Sequence, residues 1–357
     1  MQKTGTVDLP LHYGKSPRWL FERMKLLSRE IIIAIISHSG SEQLLRKISD
    51  PLWFQALGCV LGFDWHSSGL TTTVCGAIKE GVRGLEKQIG LFVAGGKGKV
   101  SLRTPSEILK LAEIAQIDPE PLIYASKISA KVDTAGVQDG FQLYHHCFIF
   151  SSSGKWAVIQ QGMNETSQYA RRYHWIGEKV KSFVCEPHSA ICSDWKGKGL
   201  NMVARESETA RQVCTKLSKE KPFKVIRELK KIDKLKMPRS HSFSLEKVRP
   251  DRLEKMLRIT YERSPESFEE LLGIKGVGAK TIRALALLSD LIYGAKPSFK
   301  DPATYSFAHG GKDGHPYPVD RKTYEETILT LHKALQESKI GRSEKIKALK
   351  RLRAFLT

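Results

Sequence analysis

A chain of 357 residues with 58 Lys and Arg against 38 Asp and Glu carries a formal charge of +20 at neutral pH. Self-repulsion on that scale opposes compaction, so it points to a polyanionic partner, nucleic acid first. An apolar content of 41% provides for buried cores and excludes a disordered chain, while the longest pure apolar run, Ile31 to Ile36, is far short of the ~18 residues a membrane span needs.

Met1 to Thr6 has no apolar signal core, so a cytoplasmic location is expected. The spacing of apolar residues predicts helices over Trp19–Ser37, Ser41–Ile48, Thr72–Gln88 and Pro105–Ala115, the last opened by Thr104 and Pro105 as cap and first helical position. Phe141–Phe150 and Lys155–Gln161, joined by Ser151–Gly154, predict a β-hairpin with a sheet around it. Asn164–Val180 reads as a helix whose Tyr169, Arg171, Arg172, Tyr173 and Trp175 suit either a core or splayed single-stranded bases. Six cysteines without a CxxC pair read as buried small hydrophobes in a reducing compartment; Cys185, His188 and Cys192 are a partial metal-ligand set with no evident fourth member. Lysines crowd between Lys216 and Lys236, and a compact helical region follows Pro250. The expected organisation is α+β: a mixed domain over 1–205 with a β-hairpin or sheet and helices, a basic helical linker over 206–250, and an all-helical domain over 251–357.

The strongest local signal lies between Ser267 and Leu288. Ser267 caps a short helix ending at Gly273, the stretch Gly273, Ile274, Lys275, Gly276, Val277 and Gly278 makes a tight turn requiring glycine, and Ala279 opens a second helix with Ile282, Leu285 and Leu288 inward. Backbone N–H groups at that helix start form an anion nest, flanked by Lys275 and Lys280 with the Thr281 hydroxyl beside them. This pattern resembles the helix-hairpin-helix of many DNA repair proteins, polymerases and ligases. The resemblance implies DNA as partner, gripped at its phosphates by Gly273, Lys275, Gly276, Val277, Gly278, Lys280 and Thr281 without sequence readout.

The base-excision DNA glycosylase superfamily is similar over the same residues, and that likeness implies more. Members with lyase activity carry a nucleophilic lysine at the position of Lys280 and an aspartate in a Val-Asp pair, matched here by Val319–Asp320. An amine near a helix N-terminus and Lys275 has its protonated form disfavoured and attacks a sugar carbon as a Schiff-base nucleophile; the carboxylate stabilises the oxocarbenium charge of an extruded nucleotide. Asp320 lies 40 positions after Lys280, across a Pro- and Gly-rich insertion from Ala295 to Tyr317. On this reading the chain is an enzyme that processes damaged or abasic DNA, with repair proteins as further partners.

Two other readings stand beside it. Asp133 and Asp139 lead into the strand bearing Tyr144, His145 and His146, and carboxylates with a histidine at strand ends suit a metal-dependent nuclease holding Mg²⁺ or Mn²⁺; Asp139 and His146 are its catalytic candidates. In a regular strand His146 shares a face with Tyr144 and Phe148, and His145 shares one with Leu143 and Cys147. The third reading is a non-enzymatic DNA-structure binder. Over its whole length the sequence resembles a domain-of-unknown-function family of archaea and heat-loving bacteria, through Leu9–Gly14, Gly62–Gly69 and Val158–Asn164.

Overall fold

A computed structural model describes residues 16–63, 68–193, 197–233, 250–303 and 321–356. Helix α1 (Arg18–Ser49) joins the two helices expected there into one element with a kink at Gly40, whose φ of 81° no helix contains. Asp50 then caps α2 (Pro51–Leu61) by accepting from the Leu52 and Trp53 N–H groups, with Pro51 at the first position where its missing N–H is harmless. The helix predicted over 72–88 is two: α3 (Gly69–Val82) and α4 (Glu86–Ile89), parted at Gly84, whose φ is +81°. Strand β1 (Leu91–Lys97), a 3-10 turn (Gly98–Arg103), α5 (Thr104–Ala115) and α6 (Glu120–Lys131) follow. Helix α6 ends in a π turn over Val132–Gly136 that buries Asp133.

Next come β2 (Val137–Gln138), β3 (Gln142–Ser151), β4 (Trp156–Asn164), β5 (Tyr169–Ile176), β6 (Ala190–Cys192) and β7 (Leu200–Asn201). Helices α7 (Glu208–Ser218), α8 (Pro222–Asp233), α9 (Pro250–Arg263), α10 (Phe268–Gly273), α11 (Ala279–Leu291), α12 (Arg321–Glu337) and α13 (Arg342–Leu356) complete the described chain. Five strands form an antiparallel sheet in the order β1-β3-β4-β5-β6, and β2 pairs with β7 apart from it.

Each face of the sheet is buried under helices, because the long strands carry apolar residues on both faces. Leu91, Val93, Cys147, Ile149, Ala157, Ile159 and Ile176 join one cluster with residues of α1–α3, and Leu331, Leu335 and Leu352 of α12 and α13 close it. Phe92, Phe148, Phe150, Val158, Tyr173 and Trp175 join the other with Ile108, Ile128, Leu257, Leu271, Leu272, Ile282 and Leu285. The mixed α+β class expected from the sequence is therefore built as helix, sheet and helix layers. The helices around the glycine turn share a core with the sheet, which fixes the turn relative to the strands.

The segment expected as helix over 164–180 contains β5 instead. Arg171, Tyr173 and Trp175 lie toward one face and Arg172, His174 and Ile176 toward the other, and both arginines are fully buried. Polar character at buried positions hides the alternation. Their charges are offset locally: Arg171 bonds Asp139 at 2.7 Å, and Arg172 donates to Gln55 Oε1 at 3.0 Å and lies over the Phe54 ring. A second departure concerns β3. Its register against β4 runs from Leu143 opposite Gly162 to His145 opposite Gln161, so a bulge absorbs Tyr144 and shifts the alternation by one. Leu143 therefore faces the same way as His146, not His145.

Strand β1 leaves no room for a side chain at Gly95, which pairs with Cys147 of β3 at a φ of +91°; a Cβ there would sit 2.2 Å from the His146 carbonyl oxygen and 2.7 Å from Thr104 Oγ1. Gly95→Ala is expected to lower unfolding free energy by about 1–3 kcal/mol in urea titration, because left-handed strain and a backbone clash act together. A change within a few tenths of a kcal/mol contradicts this account of the β1–β3 approach.

Candidate functional site

The turn between α10 and α11 is built much as its residues dictate, with one difference. Ser267 caps α10 by accepting from the Glu270 N–H at 3.1 Å. Of its three glycines only Gly276 requires a left-handed backbone, at φ +96°; Gly278 is extended at −143° and Gly273 has no positive φ. A Cβ on Gly278 or Gly273 would meet nothing within 4 Å, so their lack of a side chain keeps the surface open rather than permitting the fold. Gly278 is the N-cap of α11 and supplies no side-chain cap, and Lys275, Gly276 and Lys280 are exposed around it. Val277 and Thr281 point inward, at 0% and 4% exposure, so the Thr281 side chain belongs to the packing of α11 and not to the outer surface of the turn.

Distant parts of the chain hold the turn in place. Lys131, at the end of α6, donates to the Val277 carbonyl oxygen. Gln138 in β2 donates to the Ala279 carbonyl at 2.9 Å and accepts from Arg283 Nε at 2.8 Å. Burial pushes the Lys131 ammonium below its usual range.

Beside the turn opens a cavity of about 720 Å³, large enough for a nucleotide-sized ligand. Its wall includes Lys127 and Lys131 of α6, Lys275 of the turn, Tyr124 and Leu143, with Ser126 and His146 among the lining residues. The described lining residues include three lysines and no carboxylate. The cavity is thus cationic, with one exposed aromatic ring at its edge.

Two buried carboxylates anchor separate hydrogen-bond networks, of which that of Asp133 reaches the cavity through Gln160 and His146. Asp133 Oδ2 accepts from Gln160 Nε2 at 2.6 Å and from Trp175 Nε1 at 3.0 Å, while its other oxygen meets His188 Nε2. Burial is the main influence on Asp133 and raises its pKa, opposed by His188 and Trp175. Gln160 Oε1 lies 2.8 Å from His146 Nδ1, and His146 Nε2 lies 2.9 Å from Ser126 Oγ. Asp139 bonds Arg171 at 2.7 Å and Tyr173 Oη at 3.0 Å, and accepts from the Phe141 N–H at 3.1 Å. Arg171 also reaches Asp301 at 2.9 Å, which ties the segment after α11 to the sheet.

The structure therefore gathers Lys275, Lys131, His146 and Asp133 into one neighbourhood, and commits Asp139 to an ion pair. Asp133 and Asp139 spend their oxygens on protein donors, and among the described residues no group of three His, Cys, Asp or Glu is placed to hold a metal ion. His188, weighed with Cys185 and Cys192, is bound to Asp133 instead. Lys280 is exposed at the start of α11, and Asp320 lies outside the described residues. Sequence reasoning missed Ser126, Lys127 and Lys131; the available signal was Pro119–Lys131, whose leading Pro and Glu and apolar Leu122, Ile123, Ala125 and Ile128 mark a helix with one buried stripe.

Fold and site define an α+β protein with a sheet covered on both faces and a lysine-walled cavity beside a glycine turn. The chain belongs to the family described as "Protein of unknown function (DUF763)", whose model matches residues 5–319. Comparison with curated proteins and with solved structures gives no match. The matched span includes the turn and every described lining residue of the cavity.

His145 makes the interior sensitive to acid. Burial, then the neighbouring His146 and Lys97, push its pKa down from 6.5 to about 3, and neither ring nitrogen has a hydrogen-bond partner among the described residues. A depressed histidine pKa means that the unfolded chain takes up the proton first, so the stability it permits is whole above pH 6.5 and is lost as pH falls toward 3. His145→Leu is expected to reduce the slope of stability against pH by roughly 1.4 kcal/mol per unit between pH 6 and 4.5, measured by denaturant titration. An unchanged slope rejects a neutral buried His145.

Proposed function

We propose that this protein binds DNA through its phosphate backbone, using the turn Gly273–Gly278 as a helix-hairpin-helix, and that it processes a nucleotide received in the adjacent cavity. The observation that carries the reading is adjacency: an open glycine turn at a helix N-terminus shares Gly273 and Lys275 with the wall of a cationic cavity of about 720 Å³. A helix start stripped of side chains suits a phosphate oxyanion, and flanking ammonium groups add sequence-independent attraction. The cavity wall, part apolar and part lysine with Tyr124 at its rim, suits a base and a phosphate together.

Lys275 and Lys280 are assigned to phosphate contact in this reading, since both stand exposed at the turn. The lyase role for Lys280 needs a carboxylate partner, and Asp320, the residue cast for it, lies outside the described residues. The nuclease reading finds less support, because Asp139 is neutralised by Arg171 and Asp133 is saturated by Gln160, Trp175 and His188. The formal charge of +20 accords with a polyanionic partner of any sequence.

A Lys275→Ala, Lys280→Ala double variant removes two exposed ammonium groups without touching the core. Fluorescence anisotropy on a short duplex is expected to show about tenfold weaker binding at physiological salt, and a plot of log affinity against log salt whose slope is smaller by about 1.8. Parent-like affinity with a parent-like slope in the folded variant rejects the turn as the phosphate site.

A further inference from the structure

The cavity floor carries a hydrogen-bonded chain whose direction follows from donor and acceptor chemistry alone. An indole N–H can only donate, so Asp133 Oδ2, 3.0 Å from Trp175 Nε1, is an acceptor. The same oxygen lies 2.6 Å from the Gln160 amide, which must present its NH₂ there. Gln160 then turns its carbonyl oxygen to His146 Nδ1 at 2.8 Å, and that nitrogen must carry the ring hydrogen. In the neutral ring Nε2 is left as a lone pair, and the Ser126 hydroxyl 2.9 Å away donates to it. Burial pushes His146 down to about 4, which keeps the ring neutral at ordinary pH.

Serines in helices commonly return their hydroxyl to a carbonyl of the preceding turn, as Ser129 does to Ser126 at 3.1 Å. Ser126 instead donates across to a strand histidine, and both side chains line the cavity. A hydroxyl donating to a base that is itself oriented by a third group is the arrangement that activates an oxygen nucleophile. Three lysines and no carboxylate among the described lining residues select an anionic substrate.

We infer that Ser126 is a nucleophile with His146 as its general base, positioned by Gln160 and Asp133, and that the pair acts on a phosphate ester admitted to the cavity. Ser126 Oγ forms a bond to phosphorus as its proton passes to His146 Nε2. The bond from phosphorus to the leaving oxygen breaks, and that oxygen takes the proton from the ring. Water then gives a proton to Nε2 and attacks phosphorus, the Oγ–P bond breaks, and the ring returns the proton to Ser126. No oxidant, reductant or metal enters the balance. Lys127, Lys131 and Lys275 offset the charge of the phosphoryl oxygens.

This deepens the DNA-processing reading by naming the bond attacked, and its test needs no DNA. The full-length protein is treated with a small alkyl fluorophosphonate, from which Ser126 Oγ displaces fluoride, and labelled peptides are read by mass spectrometry. One phosphonyl group is expected on Ser126, none in Ser126→Ala, and labelling slower by roughly 100-fold in folded His146→Gln. The parent rate is expected to be level between about pH 8 and 5.5, since its base titrates near 4 rather than 6.5. Nitrogen shifts of the His146 ring should report the Nδ1–H tautomer in the parent and a tautomer mixture in Gln160→Leu, a signature that a merely structural glutamine would not move. Should His146→Gln fail to fold, His146→Asn asks the same of a folded chain: labelling of Ser126 is expected to slow by a similar factor, and an undiminished rate rejects the pair. No label on Ser126, a label undiminished in folded His146→Gln, or a rate that halves near pH 6.5 overturns the proposal. Absent labelling with intact salt-dependent duplex binding rejects the nucleophile alone; labelling with no duplex binding rejects the DNA reading alone.

Discussion

The buried carboxylate of Asp133 is the constraint around which the functional half of the molecule is arranged. Taking a carboxylate out of water costs several kcal/mol unless donors fill its lone pairs. Here the π turn at the end of α6 carries it under the sheet, where Gln160 of β4, Trp175 of β5 and His188 supply them. Each donor comes from a different stretch of chain, so satisfying one charge fixes the packing of α6 against two strands and the segment before β6. The consequence runs outward. Once Gln160 is turned to Asp133, His146 has only one tautomer that bonds it, and Ser126 has one direction in which to give its hydrogen.

Asp139 performs a different task only six residues later. Its charge is matched by Arg171 at full burial, and the guanidinium continues to Asp301. A buried pair of this kind adds little net stability compared with apolar packing, yet losing one partner leaves an uncompensated charge. Its value lies in location: it pins the chain after α11 to β5. The helices of the glycine turn are thus held at their start by Lys131 and Gln138 and beyond their end by Asp301.

What could be read from the sequence follows the division between local and non-local physics. The cap at Ser267, the turn at Gly276 and the β3–β4 hairpin depend on residues a few positions apart, and all are written in neighbouring letters. Strand β5 was hidden because its alternation is carried by Arg171 and Arg172, whose burial depends on Asp139, Gln55 and Phe54 far away in the chain. The facing of His146 was hidden by a bulge at Tyr144 that only pairing with β4 creates. Asp133, Asp139 and His146 stood out by residue type, but their division into two networks depends on where along one face of the sheet each sits, Asp133 at Gln160 and Trp175 and Asp139 at Arg171 and Tyr173. Ser126 gave no signal of its own, since a serine in an amphipathic helix is unremarkable until a strand brings an imidazole to it.

The cavity and the turn are mechanically one object. Lys131 lies in the cavity wall and bonds the Val277 carbonyl, and Lys275 belongs to the turn and lines the same cavity. Any shift of the backbone that Lys131 holds is felt by α6, five residues of which (Tyr124, Lys127, Ile128, Ala130 and Lys131) share the wall with Ser126 of the same helix. Helix α6 in turn rests on the Asp133 network through its π turn. The turn and the geometry at the cavity floor are therefore linked by satisfied contacts between packed elements. Such a link needs no large motion, because Lys131 and Lys275 each touch or belong to the turn and line the cavity at once.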